Sequence, residues 1–307
     1  MKKENTEDKL YRGLVLSTSR RSVTLCDDNF QVIEGELSTK TLEVTVGDTV
    51  FYENVGGRPF VKKIQQAKNE LSRSYFNQTR RIVANVDHLF IGAAVPPLFN
   101  TVFIDRLITL ARLQGIPTTL LINKIDLGLE DTELLLSTYQ TLDVDILLTS
   151  ALKGEGVQKL VERLSDTSLK MVVFAGISGV GKSTLVNLLV PGAKQRTAEV
   201  SQKTGQGKQT TAQPLGHIMK REEAPPLIVV DLPGIQSFGV QHLDISDIIH
   251  GFVEFEEIRT RCKYSDCLHI REDHCAIKEC VESGEISPSR YLSYVGMIDE
   301  IESAKKF

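Results

Sequence analysis

The sequence lacks the features that would direct a protein into or across a membrane. No apolar run approaches the roughly 20 residues that a membrane-spanning helix needs. The first residues, Met1 to Asn5, lead into polar sequence rather than into the apolar stretch of a signal peptide. We therefore expect a cytoplasmic protein with no membrane partner.

The sequence also has few cysteines and no large excess of one charge. The five cysteines are an odd number, and three of them lie between Cys262 and Cys275, which does not match the disulfide framework of a secreted domain. The formal net charge of −4 gives no global basic field, so a nucleic-acid partner would have to meet local patches. A hydrophobic content of 41% in 307 residues is enough for two or three domains with cores of their own.

Short β-rich runs separated by turn residues fill the chain from Arg12 to about Gln66. The predicted strands are 13–17, 22–26, 30–36, 48–53 and 60–65. Five antiparallel strands in under about 60 residues indicate an oligonucleotide-binding-fold barrel (OB-fold), with an SH3-like barrel as the alternative. Basic residues at the end of this barrel and just after it form either a solvated surface or an RNA contact: Arg58, Lys62, Lys63, Lys68, Arg73, Arg80 and Arg81.

From residue 86 onward, the pattern changes to alternating apolar strands and helices. Asn100 can cap a helix that Gly115 and Pro117 end, and residues 118–122 form a predicted buried strand. This alternation is typical of a parallel α/β sheet. Its other predicted elements are helices at 129–139 and 157–164 and strands at 145–149 and 171–175.

A glycine-rich loop joins the strand at 171–175 to a helix-like run at 184–190. The loop matches the pattern G-x-x-x-x-G-K-[ST], whose backbone N–H groups surround a β-phosphate while the lysine neutralises phosphate oxygens and the final hydroxyl can ligate Mg²⁺. An accidental glycine-rich turn is the alternative, but the motif works only between a strand and a helix, as it stands here. The predicted phosphate-binding residues are Gly176, Ser178, Gly179, Val180, Gly181, Lys182, Ser183 and Thr184.

Two further strand ends predict the base of the nucleotide. Asn123, Lys124 and Asp126 belong to an N-K-x-D run, in which the carboxylate can accept the N1–H and N2 hydrogens that guanine has and adenine lacks. Ser150 and Ala151 follow the next strand, where a backbone N–H could meet guanine O6. Alone, the run would also fit a helix-capping loop. With the phosphate loop, it predicts GTP and GDP as ligands.

Downstream motifs provide the remaining parts of a GTPase. Asp231 follows an apolar strand predicted at 227–230 and is placed to hold Mg²⁺ through water, while the Gly234 N–H can contact a γ-phosphate. Thr210 or Thr211, in a polar, glycine-containing stretch, could close on Mg²⁺ when the γ-phosphate is present. Because the base-reading motifs precede the phosphate loop, we interpret the domain as a circularly permuted GTPase.

Four soft metal ligands lie close together near the end of the chain, after a helix-like run at 248–261. Cys262, Cys267, His269 and Cys275 span 14 positions, and three thiolates with one imidazole match a closed, tetrahedral structural Zn²⁺ site. The alternative is a chance cluster of reduced cysteines. A catalytic zinc is disfavoured, because the protein fills all four ligand positions.

The barrel, the permuted GTPase and the Cys-x₄-Cys-x-His-x₅-Cys tail together resemble the ribosome small-subunit-dependent GTPase A family of bacteria over essentially the whole chain. The resemblance implies an OB-fold domain, a circularly permuted GTPase domain and a helical zinc-binding domain. The change from polar, basic sequence at 69–81 to apolar sequence at 86–95 places the first boundary near residue 72, and the expected domains are 1–71, 72–243 and 244–307. It further implies a role late in the maturation of the 30S subunit, with 16S rRNA and ribosomal proteins as partners and GTP hydrolysis stimulated by that particle. We expect a monomer.

One departure from the family concerns catalysis. The family usually carries a histidine just before the threonine pair, where this chain has Gln209, and the usual water-positioning glutamine is replaced by Ile235. Gln209 is therefore the candidate for orienting the attacking water, acting with Lys182 and the threonine pair, and we expect slow unassisted turnover. Two alternatives stay open. One is an RNA-binding assembly factor for which GTP is only a conformational ligand, and the other is a GTP-dependent protein that passes Zn²⁺ onward.

Overall fold

A computed structural model describes most of the chain. The described residues are 10–39, 41–75, 78–95, 98–130, 132–142, 144–193, 213–234 and 238–305. Gln209, Thr210, Thr211 and Ile235 lie outside them, so the structure does not place the predicted threonine pair or the candidate water-orienting glutamine. Among the described helices, none has both the length and the apolar character needed to cross a bilayer.

A closed five-stranded barrel forms the amino-terminal part, in the order β1-β2-β3-β5-β4 with β4 paired back to β1. This confirms the predicted barrel and favours the OB-fold over the SH3-like alternative. The expectation that every pair is antiparallel is wrong for β3 and β5, which run parallel. β4 and β5 form the next hairpin, and its second strand, β5, meets β3. The strands are β1 (Tyr11–Thr18), β2 (Ser22–Asp27), β3 (Val32–Leu37), β4 (Thr49–Val55) and β5 (Arg58–Ile64).

A hairpin absent from the sequence-based prediction follows the barrel. Its strands β6 (Glu70–Tyr75) and β7 (Gln78–Ala84) pair antiparallel, and the predicted domain boundary near residue 72 falls inside β6. The sequence here is largely polar and basic and lacks the apolar pattern of a buried strand, so these strands were not predicted. Arg81 of the hairpin ties it to the barrel, because its guanidinium lies 2.7 Å from the fully buried carboxylate of Asp48 and 2.6 Å from Glu70.

A six-stranded sheet, in the order β10-β9-β8-β11-β13-β12, forms the centre of the molecule. Five strands run parallel, as the alternating pattern predicted, and β12 is an antiparallel edge strand that the pattern did not predict. The strands are β8 (His88–Ala94), β9 (Thr118–Asn123), β10 (Asp145–Leu148), β11 (Met171–Gly176), β12 (Leu215–Met219) and β13 (Leu227–Asp231).

Helices cover both faces of this sheet. The alternation of side chains sends Leu121 and Val172 to the core shared with one pair of helices, and Leu120 and Val173 to the core on the other face. The cap predicted for the first helix is confirmed, since Asn100 Oδ1 accepts the Phe103 N–H at 2.9 Å. The helices are α1 (Thr101–Leu113), α2 (Glu133–Gln140), α3 (Val157–Leu164) and α4 (Lys182–Leu189).

The carboxyl-terminal helices pack on the α1 side of the sheet. The continuous helix expected at 248–261 is wrong, because extended backbone at Phe252 divides it into two short helices followed by a 3₁₀ turn. Phe252 and Phe255 both turn inward, with ring centroids 5.4 and 5.0 Å from that of Tyr294. This inward packing explains the break. The helices are α5 (Ile245–Gly251), α6 (Phe255–Ile258), α7 (Ala276–Ser283) and α8 (Pro288–Ala304).

Candidate functional site: a junction of four strand ends

The sequence motifs meet along the carboxyl edge of the central sheet. β9 ends at Asn123, β11 ends at Gly176 and β13 ends at Asp231, while the turn after β10 carries Ser150. Parallel strands present their carboxyl ends at one edge, and this is where open α/β sheets bind ligands. Residues from four distant parts of the chain therefore lie side by side.

The glycine-rich loop is closely packed against the N-K-x-D run. Gly179 and Gly181 take left-handed φ values of +88° and +89° between β11 and α4. A Cβ atom at Gly181 would lie only 2.2 Å from Nδ2 of Asn123, so a side chain at this position would displace the asparagine. Glycine is therefore required here both for its backbone conformation and for the approach of Asn123.

Asn123 connects three of the motifs through one buried amide. Its Nδ2 donates to the Val180 carbonyl oxygen at 2.8 Å, and its Oδ1 accepts the Ala151 N–H at 2.9 Å. The residue is 3% exposed. The structure thus places Asn123 as a link between the glycine-rich loop and the two loops that the sequence predicts to read the base.

Asp126 and Ser150 form a contact between the two loops predicted to read the base. The Ser150 hydroxyl donates to Asp126 Oδ1 at 2.5 Å, which fixes the orientation of the carboxylate. Lys124 holds a left-handed φ of 65° in the turn between Asn123 and Asp126. The N–H groups expected to meet guanine O6 are engaged within the protein, because Ser150 N donates to Glu155 O at 2.9 Å and Ala151 N donates to Asn123.

Asp231 lies directly against the phosphate-loop lysine. The Lys182 ammonium, which is 7% exposed, pairs with one carboxylate oxygen of Asp231, and the Ser183 hydroxyl donates to the other at 3.1 Å. A Cβ atom at Gly234 would lie 3.1 Å from the Ser178 backbone nitrogen, so the Asp-Leu-Pro-Gly turn runs beside the same loop. A carboxylate and a hydroxyl are the hard oxygen donors that Mg²⁺ prefers, and Thr184 is exposed in the first turn of α4.

The four predicted zinc ligands converge into one cluster. The ligand atoms of Cys262, Cys267, His269 and Cys275 all lie within 4.8 Å of one another. His269 Nδ1 is 3.6 Å from the sulfur of Cys262 and 3.4 Å from that of Cys275, and these two sulfurs are 4.0 Å apart. Usual Zn–S and Zn–N bond lengths give tetrahedron edges of roughly 3.4–3.8 Å, so the donor set fits zinc.

Side chains of neighbouring elements hold the cluster in shape. The hydroxyls of Tyr291 and Tyr294 on α8 each donate at 2.7 Å to a carbonyl of the loop, that of His269 and that of Leu268. Glu272 accepts three backbone N–H groups of the same loop. Burial raises the pKa of Cys267 to about 12 and lowers that of His269, so loading a metal here requires loss of thiol protons.

Several buried charged residues of the structure gave no signal in the sequence. Arg290 of α8, 1% exposed, donates at 2.8 Å both to Asp105 of α1 and to Glu254, and the Tyr139 hydroxyl donates to Asp105 at 2.9 Å. This network attaches the last helix to the central domain.

Comparisons with known proteins agree with this arrangement. Residues 64–241 match the family model described as RsgA GTPase. The small ribosomal subunit biogenesis GTPase RsgA of Haemophilus influenzae is 34% identical over 95% of this chain and 86% of its own length. The protein of the same name in Bacteroides fragilis is 33% identical over 96% of this chain and 98% of its own length.

Two solved structures share the architecture. The crystal structure of YjeQ from Thermotoga maritima is 31% identical with a TM-score of 0.69, and the alignment covers 95% of this chain and 99% of that one. YloQ, described as a circularly permuted GTPase, has a TM-score of 0.66 and is 24% identical, with 98% of each chain covered. The second likeness supports the fold alone.

Proposed function

The chain belongs to the RsgA GTPase family, and on that basis we propose that it hydrolyses GTP to GDP and phosphate during maturation of the small ribosomal subunit. The observation that carries the proposal is the junction at Asn123, where one buried amide links a guanine-type N-K-x-D run to a phosphate loop. The relatives from Haemophilus and Bacteroides are named for small-subunit biogenesis. We propose that this chain acts on the 30S subunit, through 16S rRNA and ribosomal proteins.

In the proposed mechanism, the phosphate loop holds the nucleotide and stabilises charge that develops in the reaction. Lys182 would exchange its Asp231 partner for phosphate oxygens, which frees the carboxylate for the metal. Ser183 and Asp231 would hold Mg²⁺, together with Thr210 or Thr211. When bound, this metal neutralises charge on the β- and γ-phosphates. Gln209 stays the candidate for orienting water.

We propose that the guanine base is read by Asp126, whose orientation Ser150 sets. Ala151 N–H would meet O6 while being shared with Asn123 Oδ1, since this backbone hydrogen already has that partner. Asp126→Asn tests the assignment. The amide NH₂ of asparagine would face the N2 amino group of guanine, which is also a donor, but it could donate to the O2 carbonyl of xanthine. We expect preference to move from GTP toward XTP, measured by competition binding. Unchanged GTP selectivity contradicts the assignment, and Asp145→Asn, at the opposite edge of the sheet, is the control.

We also propose a division into three domains, with the first boundary moved relative to the sequence-based one. A boundary belongs in a segment that few contacts cross, and residues 65–69 between β5 and β6 fit this better than residue 72 within β6. The second boundary, near residue 243, precedes α5. The hairpin β6–β7 then belongs to the GTPase domain, although Arg81 ties it to the barrel.

The basic residues considered for an RNA contact differ in whether they already form an ion pair within the protein. Arg58, Lys62, Lys68 and Arg81 each pair with an acidic side chain, which neutralises them in part. Arg73 and Arg80 make no ion pair within the described part of the chain. They line a groove of ≈ 1200 Å³ between the hairpin and the barrel, together with Arg20 and Arg21 of the β1–β2 turn.

We propose that this arginine groove, defined by Arg20, Arg21, Arg73 and Arg80, binds RNA phosphates. Arg73 and Arg80 are direct cross-strand partners in the hairpin. Like charges in directly opposite positions destabilise a strand pair unless an anion lies between them. Glu36 and Glu43 also line the groove, but Glu36 already pairs with Arg58. An RNA backbone would supply the anions that these arginines lack.

A further inference from the structure

The segment that leaves the Asp-Leu-Pro-Gly turn is held by side chains from distant parts of the chain. Only three residues separate Gly234, beside the phosphate loop, from Phe238. Phe238 and Val240 are fully buried. Gly234 is therefore connected to a fixed point of the core only four positions further along the chain.

One side of that fixed point is an ion pair between α1 and α8. Arg106 Nη1 donates to the Phe238 carbonyl oxygen at 2.9 Å and to Glu300 Oε2 at 2.5 Å. The other oxygen of Glu300 accepts the Val240 N–H at 2.8 Å. Arg106 and Glu300 are 12% and 19% exposed, so water screens the pair weakly.

The hairpin supplies the other side. Ser74 N donates to the Gly239 carbonyl oxygen at 2.9 Å, and Ser74 Oγ lies 2.8 Å from Nδ1 of His242. A Cβ atom at Gly239 would lie 2.2 Å from the Ser74 carbonyl oxygen and 3.0 Å from Glu300 Oε1. The hairpin and α8 therefore meet around one glycine of this segment.

We propose that Arg106 and Glu300, with Ser74, are positioning residues for the γ-phosphate contact made by Gly234. We call these three side chains the exit anchor. The inference rests on the proposed GTPase function, because it concerns a contact that only GTP can make. A segment fixed four residues after Gly234 has fewer conformations to lose when Gly234 closes on a γ-phosphate. GDP has no γ-phosphate and does not require that closure.

The exit anchor should therefore contribute to GTP binding and turnover but not to GDP binding. It would also connect the nucleotide to the surroundings, because the hairpin carries the arginine groove and α8 supports the zinc cluster. A partner that displaces either the hairpin or α8 would therefore affect the Asp-Leu-Pro-Gly turn through the same residues.

Glu300→Gln tests the proposal, since it keeps the shape but turns one of the two acceptor oxygens, which face Arg106 and the Val240 N–H, into an amide donor. Asp299→Asn is the matched control, because Asp299 is an exposed carboxylate on the same helix with no ion pair in the described structure. We expect Glu300→Gln to lower affinity for a non-hydrolysable GTP analogue about fivefold or more, within the usual range of coupling between sites, and to lower kcat. GDP affinity should stay unchanged, and Asp299→Asn should alter neither.

The outcomes separate a positioning role from a merely structural one. Equal loss of GDP and GTP-analogue affinity, or no loss of either in a folded variant, overturns the proposal. Thermal unfolding of each variant shows whether it is folded. If Glu300→Gln does not fold, Ser74→Ala is the milder test, because it removes only the hydroxyl beside His242, and the same selective loss is expected at smaller size. Failure of the wild-type chain to bind GTP would instead contradict the proposed function.

Discussion

The side-chain amide of Asn123 donates a hydrogen bond to the carbonyl oxygen of Val180, 2.8 Å away and 57 positions along the chain. The same side chain accepts the N–H of Ala151. One buried residue therefore sets the distance between the loop proposed to read the base and the loop proposed to hold the phosphates. The contact does not depend on the order of the motifs along the chain. It requires only that the parallel strands bring their carboxyl ends together.

Asn123→Ala should weaken the binding of both GDP and GTP. The change leaves the Val180 carbonyl and the Ala151 N–H without their partner, at about 1–3 kcal/mol for each unsatisfied group, so we expect a loss of at least about tenfold in affinity for either nucleotide. Isothermal titration calorimetry measures both. Asn54→Ala, at an exposed position in the barrel, should leave the affinities unchanged. Wild-type affinity in Asn123→Ala would mean that the junction does not shape the site.

Cys267→Ser should release about one metal ion per chain and loosen the carboxyl-terminal domain, because a structural zinc site contributes directly to folding. Elemental analysis measures the zinc, and limited proteolysis reports on the residues after 250. Cys280→Ser is a matched control, since Cys280 is also buried but lies outside the cluster, 3.1 Å from Glu285. A Cys267→Ser protein with full zinc content and normal protease resistance would argue against a structural site.

Arg290→Met should destabilise the fold strongly near neutral pH. It leaves the fully buried carboxylate of Asp105 and the partly buried one of Glu254 without a cation, at a cost of about 3–5 kcal/mol in the free energy of unfolding. Urea unfolding measures the loss. Arg163→Met removes an arginine from an exposed pair with Asp145, and should cost less than about 1 kcal/mol.

The loss caused by Arg290→Met should shrink in acid. Burial raises the pKa of Asp105, although the Arg290 charge opposes this, and the variant removes the opposing charge. A carboxyl group whose folded pKa is above its unfolded value stabilises the fold at pH below the unfolded pKa, and loses that contribution as pH rises. We therefore expect the difference from wild type to be larger at pH 7 than at pH 5. A difference that grows on acidification would contradict the role of Asp105.

Replacing Arg73 and Arg80 together with glutamine should weaken RNA binding and its salt dependence. Removing two phosphate contacts should lower the slope of log affinity against log salt by about 1.4–1.8. Fluorescence anisotropy with a 16S rRNA fragment, at several salt concentrations, measures the slope. Lys62→Gln is the control, because Lys62 is already paired with Glu53 at 2.9 Å. An unchanged slope in the double variant would remove the arginine groove from the RNA contact.

The meeting of the sequence motifs at the carboxyl edge of the sheet could be predicted from the sequence because each motif is local. Each motif is a short run after an apolar strand, and parallel strands bring their ends together whatever the connections between them. The cluster of Cys262, Cys267, His269 and Cys275 was predictable for the same reason, since its residues lie within one loop region. Thr210, Thr211 and Gln209 remain predictions.

Features that depend on distant contacts could not be predicted in this way. The hairpin β6–β7 has too polar a sequence to be recognised as strands, and the break at Phe252 depends on its packing against Tyr294. Arg106 and Glu300 are 194 positions apart, so nothing in either local sequence indicates the other. On the last helix, the apolar Leu292 is 67% exposed whereas the charged Arg290 is buried, because Arg290 meets Asp105 and Glu254.

The most direct test of the account is GTP and ATP hydrolysis by the full chain, measured with and without purified 30S subunits. The account predicts slow turnover of GTP by the protein alone, a clear rise when 30S subunits are added, and no comparable activity toward ATP. Equal hydrolysis of ATP, or a GTP turnover that 30S subunits leave unchanged, would contradict it.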